Sequence, residues 1–492
     1  MMKIIAAIGI NILIFALLIA AFSSSEPLTE IMVSESANVS EVSESVSTKF
    51  TGELEQNIVL RVLENDTAIK QGYFAELLAA FNAQYAEFGI VAEDANMSQY
   101  LDLENDGPYG YGPDVLYQAN DQIMKYISGL HIQPLPAEQL DCYSQIDQIS
   151  WQAYTGTDEV IYGVPVNIQA PVLYYRKDLL PDNWQTEWDK NQNNIPDIIE
   201  SWSDLYAYSM QIRAESGGNR YGYMKSLWDP YFSSGYLFSY GGYVFGDHGF
   251  DAKDIGFAAG ESYKGLKIIT QLASLMTEDC IDDTITKIQY AKMASGEYFA
   301  SMTTPDVYTL YLNELILAYQ EEGLTAAEAR EKALENLITC AVPMLPLSGD
   351  LTEENPELIP CKMMGGINGY AISAYTESPN AALAFIDFAT SYEMLMRRNE
   401  LLGIVPARSD CAQDIGGLAN IVNETLAEGN IYLMPSIRAV AQIWTPIDTL
   451  FGDVAKDPFR IPSEQRFVTV DQMITALEKV NTQIYDAIWT LN

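Results

Sequence analysis

Histidine, cysteine and basic residues are scarce in this sequence of 492 residues. It contains two histidines and five cysteines, and no two cysteines form a C-x-x-C pair. We therefore expect no zinc or iron–sulfur centre. Lysine and arginine number 27 against 67 aspartates and glutamates, which gives a net charge of −40. Because such a chain repels phosphate backbones, we expect no nucleic acid among its partners.

The odd number of cysteines gives no obvious disulfide framework. Cys340 and Cys361 flank a proline-rich segment, and one interpretation pairs them in a disulfide. The alternative is that all the cysteines are small, buried apolar residues. The sequence leaves both interpretations open.

Signature motifs of nucleotide binding and of hydrolysis are also missing. The chain has no G-x-x-x-x-G-K-[ST], no G-x-G-x-x-G after a strand, no H-E-x-x-H and no G-x-S-x-G. Nucleotide-dependent and hydrolytic functions therefore lack support from motifs. A pair of glycosidase carboxylates stays open, because any two of the 67 acidic residues could converge in the fold.

The chain begins with a long apolar run. Between Ile4 and Phe22 the one polar side chain is Asn11, and Lys3 precedes the run. We interpret residues 1–22 as a signal peptide or membrane anchor. The rest of the chain would then lie at the outer face of the membrane or, after cleavage, in the periplasm or outside the cell. No cysteine lies near the end of this run, so we expect no lipid anchor. Residues 23–56, rich in serine, glutamate, valine and threonine, are predicted to form a disordered acidic stalk.

Short β-branched segments alternate with helical patterns along the rest of the chain. Strands are predicted at residues 58–63, 90–92, 114–117, 163–168, 172–175 and 369–373. Helices are predicted at residues 73–81, 202–214, 262–276, 324–337 and 381–392. This alternation predicts two α/β lobes and a mostly parallel sheet covered on both faces. In such folds ligands bind where strand ends face a crevice.

One loop has the spacing of a metal-binding loop. Residues 189–200 read DKNQNNIPDIIE and resemble an EF-hand calcium loop, in which alternate oxygens surround one hard cation and a bidentate carboxylate closes the site. Asn194 replaces the usual turn glycine, and asparagine tolerates the left-handed backbone. The alternative is a polar surface turn in a very acidic chain. The predicted ligands of a structural Ca²⁺ ion are Asp189, Asn191, Asn193, the Ile195 carbonyl, Asp197 and Glu200.

Several segments, taken in order, resemble a known family. They are residues 112–136, 161–181 with a terminal K-D-L-L, 229–245, 295–305, 365–388 and 434–444. Together they resemble the maltose-binding and maltodextrin-binding proteins, which are extracellular solute-binding subunits of carbohydrate ABC transporters. The resemblance implies a type II periplasmic-binding-protein-like fold with a ligand cleft between two α/β lobes. The first lobe would comprise residues 57–168 and 345–403, and the second residues 169–344 and 404–492.

The resemblance also implies a set of sugar-binding positions. Three glutamines stand where the family has Trp, Arg and Glu, the counterpart of another stacking Trp lies near Asp306 or Tyr308, and Thr445 replaces a tyrosine. These departures imply weaker binding of maltodextrins than in the family's type member, or a preference for another glycan. The implied positions are Asp66, Gln118, Asp121, Gln122, Gln169, Asp229, Tyr231, Phe232, Met434 and Trp444.

The residue types at these positions suit a sugar. A sugar ring presents apolar faces bordered by hydroxyl groups, so its pocket needs aromatic platforms beside carboxylates and amides. The leading prediction is therefore a non-catalytic receptor that closes over a neutral oligosaccharide and delivers it to the permease subunits of an ABC importer. A secreted glycoside hydrolase and a surface adhesin remain as alternatives.

Overall fold

A computed structural model describes residues 49–96, 102–156, 158–281, 284–435 and 437–490. The apolar run of residues 4–22 and most of the predicted stalk lie outside these ranges. Within them, every helix is too short or too polar to cross a bilayer.

The strands follow the β-branched and aromatic segments of the sequence. The six strands predicted from sequence are all found, with the last one starting earlier and reaching ten residues. In chain order the strands are β1 (Val59–Leu63), β2 (Val91–Asp94), β3 (Val115–Ala119), β4 (Val164–Gln169), β5 (Val172–Arg176), β6 (Tyr221–Tyr223), β7 (Asp251–Ile255), β8 (Tyr298–Thr303), β9 (Leu337–Cys340), β10 (Leu345–Pro346), β11 (Leu358–Ile359), β12 (Met363–Ile372), β13 (Val405–Pro406) and β14 (Ile431–Leu433).

Two sheets dominate the part of the chain that the structure describes. The first has the order β13-β4-β12-β3-β1-β2, with β14 also paired to β12, and the second has the order β6-β8-β5-β9. The β1 strand is parallel to β2 and β3, whereas β12 is antiparallel to both β3 and β4. In the second sheet β5 is antiparallel to β8 and β9. The prediction of a mostly parallel sheet is therefore wrong, because the long strand β12 and the strand β5 are each inserted antiparallel between two neighbours.

Helices cover the sheets, and all five predicted ones are present with ends shifted by a few residues. The longer helices are Tyr73–Gln84, Asn120–Ser128, Trp202–Glu215, Pro230–Phe238, Tyr263–Ser274, Thr284–Ala294, Tyr308–Glu321, Ala326–Asn336, Pro379–Ala389, Tyr392–Leu402, Leu418–Ala427, Trp444–Lys456 and Val470–Thr490. The shorter ones are Asp66–Lys70, Leu103–Asp106, Gln148–Gln152, Trp184–Glu187, Gly246–Gly249 and Ser409–Ile415.

Two large apolar clusters form most of the described core, and the larger one, centred on the second lobe, also includes Ile168, Met363 and Val405 of the first sheet. The first-lobe core contains Phe81 and Phe385, whose rings meet edge to face at 5.0 Å. The second-lobe core is built around Trp202, which meets Tyr223 edge to face at 4.9 Å. Burial of large aromatic side chains supplies most of the stabilisation of such cores, because it removes the most apolar area from water.

The lobe boundaries differ from those predicted. Leu345, Leu351 and Cys361 pack in the second-lobe core, so the chain returns to the first lobe at β12 rather than at residue 345. Beyond residue 403, β13 still pairs with β4 of the first sheet. Local sequence patterns could not place these crossings, because they depend on pairing between strands far apart in the chain.

The predicted stalk ends before residue 56. Phe50 is buried in the first-lobe core. The Glu55 carboxylate accepts hydrogen bonds from the backbone nitrogens of Asn380 at 3.2 Å and Ala381 at 2.8 Å. A carboxylate stabilises the N-terminus of a helix, where backbone N–H groups lack partners. Residues 49–56 are therefore part of the first lobe, which corrects the prediction for that stretch.

The cysteines carry free thiols. Four of the five are buried, and burial raises the pKa of Cys142 to about 11. Cys361 lies beside Met363, with 3.4 Å between the sulfur atoms, rather than bonded to Cys340. The interpretation of the cysteines as small apolar residues is confirmed for the buried four.

A buried ion pair joins the elements of the first lobe. Arg398, on the helix Tyr392–Leu402, donates to both carboxylate oxygens of Glu64 at 2.9 and 3.0 Å. The side chains are 1% and 0% exposed. Tyr370 of β12 donates to Glu64 at 2.5 Å, and the guanidinium lies 4.3 Å from the ring centre of Tyr117 on β3. Because Glu64 directly follows β1, this pair fixes the end of β1 to the rest of the lobe.

Candidate functional site

The two sheets meet where β4 continues into β5. Only Ala170 and Pro171 separate these strands, and the first residue of β5, Val172, is paired with Thr303, the last residue of β8. On the other side of the crossing, Gln169 is paired with Gly366 of β12. The end of β4 and the loop that follows β8 are therefore held together at the boundary between the lobes.

The second lobe contributes Asp229, Tyr231 and Phe232 to this boundary. Asp229 caps the helix Pro230–Phe238 by accepting a hydrogen bond from the Tyr231 backbone nitrogen at 2.9 Å. The rings of Tyr231 and Phe232 meet edge to face at 5.2 Å. The ammonium of Lys225 lies 3.5 Å from the ring centre of Phe232. The cap thus fixes the helix start and, with it, the direction of both rings.

Tyr231 links the second lobe to the crossing strand. Its hydroxyl donates a hydrogen bond to the backbone oxygen of Gln169 at 3.0 Å. Burial, with further contributions from Asp306 and Asp229, raises the pKa of Tyr231 far above neutral, so it stays a hydroxyl. The side-chain oxygen Oε1 of Gln169 is buried and has no hydrogen-bond partner. Among the described residues this acceptor is unsatisfied, which is unfavourable for a buried oxygen unless a further donor reaches it.

The first lobe contributes the end of β3 and the start of the next helix. Gln118 lies in β3 and faces Gly369 of β12 in the register. Asp121 is half-buried in the first turn of the helix Asn120–Ser128, and burial raises the pKa of its carboxyl. The adjacent Gln122 side chain is exposed, and its amide lies 3.5 Å from the Asp121 carboxylate.

Met434 and Trp444 reach the same region from the C-terminal part of the chain. The Asn120 amide donates to the backbone oxygen of Met434 at 3.2 Å, and the Met434 nitrogen donates to Gly365 at 3.0 Å. Trp444 is partly buried at the start of the helix Trp444–Lys456. The short turn Arg438–Gln442 before it contacts the helix that carries Asp121. Met434 and the turn before Trp444 therefore lie against the start of the first-lobe helix that carries Asp121.

Asp66 has a different environment. It is the first residue of the short helix Asp66–Lys70 and forms an ion pair with Lys70 at 2.7 Å. Its side chain is 83% exposed. The structure places it at the surface near the end of β1, on the same lobe as Asp121.

Two residues at the boundary were missing from the predicted site. Asp306 influences the buried Tyr231 electrostatically, and its Oδ1 atom is buried with no hydrogen-bond partner. Tyr154 is fully buried and donates to the backbone oxygens of Gln118 and Ile367, at 3.1 and 2.8 Å. Neither residue lies in a local sequence motif that indicates a binding site. The one available signal for Asp306 was its position near the counterpart of a stacking tryptophan.

Residues of the predicted calcium loop, 189–200, are joined to one another by hydrogen bonds. Asp189 accepts hydrogen bonds from the backbone nitrogens of Asn193 at 3.0 Å and Asn194 at 3.1 Å. The amides of Asn191 and Asn193 both reach the Glu200 carboxylate, at 3.0 and 2.6 Å. Asn194 has a φ of +63°, the left-handed conformation that glycine usually provides.

Asp197 completes the ring of oxygen-bearing side chains. Its Oδ2 atom is buried without a hydrogen bond, and Lys190 Nζ lies 3.5 Å away. Among the described residues no group of three or more His, Cys, Asp and Glu side chains has a metal-binding arrangement. Asp189, Asp197 and Glu200, the three acidic residues of the predicted set, do not form such a group here.

The chain belongs to the family of bacterial extracellular solute-binding proteins, whose model matches residues 76–421. The galactooligosaccharide-binding protein of Bacillus subtilis is 24% identical over 419 residues, covering 84% of this chain and 87% of that protein. The solute-binding lipoprotein of a maltooligosaccharide ABC transporter from Streptococcus pneumoniae is 22% identical over 361 residues, covering 71% of this chain and 73% of the lipoprotein.

The fold is that of two-lobed solute-binding proteins. The maltose-binding periplasmic protein of Listeria monocytogenes, solved with maltose, superposes with a TM-score of 0.62 at 23% identity, covering 86% of this chain and 98% of the other. The two-lobed α/β fold predicted from sequence is confirmed. Family membership also confirms the expectation that the protein acts outside the cytoplasm.

Proposed function

We propose that this protein is the substrate-binding subunit of an ABC importer and that it binds a neutral, maltodextrin-like oligosaccharide between its lobes. The bound sugar would be delivered to permease subunits in the membrane. Two relatives support the proposal, a galactooligosaccharide-binding protein and the solute-binding lipoprotein of a maltooligosaccharide ABC transporter. It assigns no catalytic residue.

The observation that carries the proposal is the pairing of aromatic rings with unsatisfied acceptors at the lobe boundary. Tyr231 and Trp444 offer apolar surfaces, whereas Gln169 Oε1 is a buried acceptor that no donor among the described residues reaches. Asp121 adds a carboxylate that lies partly out of water. A sugar supplies what this set needs, because its ring faces are apolar and its hydroxyl groups are donors.

Calorimetric titration with a panel of malto-, galacto-, gluco- and xylo-oligosaccharides tests this function. We expect saturable heat with at least one series, and a melting temperature that rises with its concentration, because a ligand that binds only the folded state stabilises it. If no sugar of the panel gives a heat of binding, the proposed receptor function is contradicted. Release of shorter sugars from the same panel would support the glycoside hydrolase instead.

We also propose that residues 189–200 bind one structural Ca²⁺ ion. The ligands would be Asp189, Asn191, Asn193, Asp197 and Glu200 through side chains, and Ile195 through its carbonyl. The closed loop and the left-handed Asn194 support this, because an EF-hand-like loop wraps one cation in the same way. Glu200 directly precedes Ser201, the cap of the helix Trp202–Glu215, so the closing carboxylate has a rigid base.

Removal of calcium should lower the stability of the wild-type protein. At a hundredfold excess of Ca²⁺ over Kd, binding should add about 2.7 kcal/mol to the free energy of unfolding, and chelation should remove it. Glu200→Ala should lose most of this dependence, because the closing bidentate ligand is absent. Glu187→Ala removes an exposed carboxylate just outside the loop and should keep the dependence. An equal melting temperature of the wild-type protein with and without chelator would contradict the proposal.

We further propose that residues 1–22 direct export and, if uncleaved, tether the protein to the membrane. The apolar length of the segment and the absence of a nearby cysteine support a peptide anchor. N-terminal sequencing of protein extracted from membranes distinguishes an intact anchor from cleavage near Ser23, and full-length protein in the cytoplasm would contradict both.

A further inference from the structure

Asp306 lies in the loop that follows β8, a strand of the second sheet, at the lobe boundary. This loop follows Thr303, which is paired with Val172, the first residue after the crossing from β4. The short turn Pro305–Val307 then leads into the helix Tyr308–Glu321. Gln169 lies three residues before Val172 and Asp306 lies three residues after Thr303. Because Val172 and Thr303 are paired, Gln169 and Asp306 both lie near the lobe boundary.

Two tyrosines near Asp306 donate their hydroxyl protons to backbone oxygens and not to its carboxylate. The carboxylate is close enough to raise the pKa of Tyr231 and Tyr174, in addition to the larger effect of their burial. The Tyr231 hydroxyl donates to the Gln169 backbone, and the Tyr174 hydroxyl donates to the Thr304 backbone at 3.0 Å. Asp306 Oδ1 is buried and is left without a hydrogen bond.

Asp306 makes no capping hydrogen bond at the helix start that follows it. The N-cap of the helix Tyr308–Glu321 is Val307, which offers no side-chain hydrogen bond, and the turn Pro305–Val307 has none either. A carboxylate that is partly removed from water without a partner destabilises the free protein. Its presence at the lobe boundary calls for a ligand donor.

We propose that Asp306 is a specificity-determining residue that accepts hydrogen bonds from ligand hydroxyl groups and discriminates against anionic sugars. This inference rests on the proposed function and names the ligand class more closely. A sugar hydroxyl placed at Asp306 gains a charged acceptor, which forms a stronger hydrogen bond than a neutral one. A uronic acid carboxylate in the same place would meet like charge in a site that is poorly hydrated.

The test compares wild type, Asp306→Asn and Glu321→Gln by calorimetric titration with the tightest neutral oligosaccharide of the panel and with its uronic acid counterpart. Glu321 is exposed at the far end of the helix Tyr308–Glu321, so its replacement changes the net charge equally without touching the boundary. Asp306→Asn should weaken binding of the neutral sugar about tenfold to a hundredfold, consistent with the loss of hydrogen bonds to a charged group. Asp306→Asn should also reduce the ratio of the Kd for the acidic sugar to the Kd for the neutral sugar. Glu321→Gln should leave both the affinity for the neutral sugar and this ratio unchanged.

The melting temperature of the sugar-free protein separates binding from support of the fold. We expect Asp306→Asn to melt at or above the wild-type temperature, because the buried Oδ1 atom of this half-buried residue has no hydrogen bond to lose among the described residues. Equal binding of the neutral sugar by wild type and Asp306→Asn would overturn this inference while leaving the proposed function intact. A fall in both affinity and melting temperature would overturn it too, since the residue would then support the fold. If wild type binds no oligosaccharide, the proposed function and this inference both fail.

Discussion

Replacing Arg398 by methionine is expected to lower the free energy of unfolding by about 3–5 kcal/mol, the largest stability effect that we expect from any single substitution in the first lobe. Methionine fills much of the same volume, but it leaves the Glu64 carboxylate buried at 0% exposure without its two guanidinium hydrogen bonds. The loss of the cation above the Tyr117 ring adds to the effect. Urea unfolding monitored by circular dichroism measures the change.

The double variant Arg398→Met with Glu64→Met separates the contribution of the ion pair to stability from that of the surrounding packing. With neither charge present, most of the lost stability should return, because a buried ion pair roughly balances its own desolvation. The exposed pair Lys70–Asp66 serves as a contrast, and Lys70→Met should change stability by less than about 1 kcal/mol. A double variant as unstable as Arg398→Met alone would contradict this account.

The elements of the fold could be predicted better than their arrangement. Segments such as residues 58–63 and 202–214 have local composition that predicts a strand or a helix, and both are found. The antiparallel position of β12 between β3 and β4 depends instead on pairing across hundreds of residues. The Arg398–Glu64 pair is separated by 334 positions, so no local pattern indicates it.

Some residues of the candidate site could likewise be predicted from the sequence, whereas others could be found only in the structure. Tyr231 and Gln169 were identified through ordered segments, and the structure joins them by a hydrogen bond. Asp306 was left out of the predicted site because an aspartate near the counterpart of a stacking tryptophan, in a chain with 67 Asp and Glu residues, does not indicate a binding role by itself. What distinguishes it is a buried oxygen that lacks a donor, and such a feature exists only in three dimensions.

Replacing Trp444 by alanine is expected to weaken oligosaccharide binding by about 1–3 kcal/mol, or roughly 5- to 150-fold in Kd. The ring is partly buried at the start of the helix Trp444–Lys456, next to the turn that contacts the helix bearing Asp121. Its free surface is therefore available to a sugar face, and alanine removes that surface without breaking a hydrogen bond described for the side chain. Trp444→Phe keeps an aromatic face and should recover part of the affinity.

Tryptophan fluorescence gives a second measurement of the same event. The chain has seven tryptophans, so the contribution of Trp444 must be isolated by comparing variants. Sugar binding should shift or quench the emission of wild type, and Trp444→Ala should reduce that change, because this ring passes from water to a sugar face. Trp489 is 43% exposed on the C-terminal helix Val470–Thr490, and Trp489→Ala should retain both the affinity and the signal. If Trp444→Ala binds as tightly as wild type, the ring packs against the second-lobe core alone and the sugar platform must be sought at Tyr231.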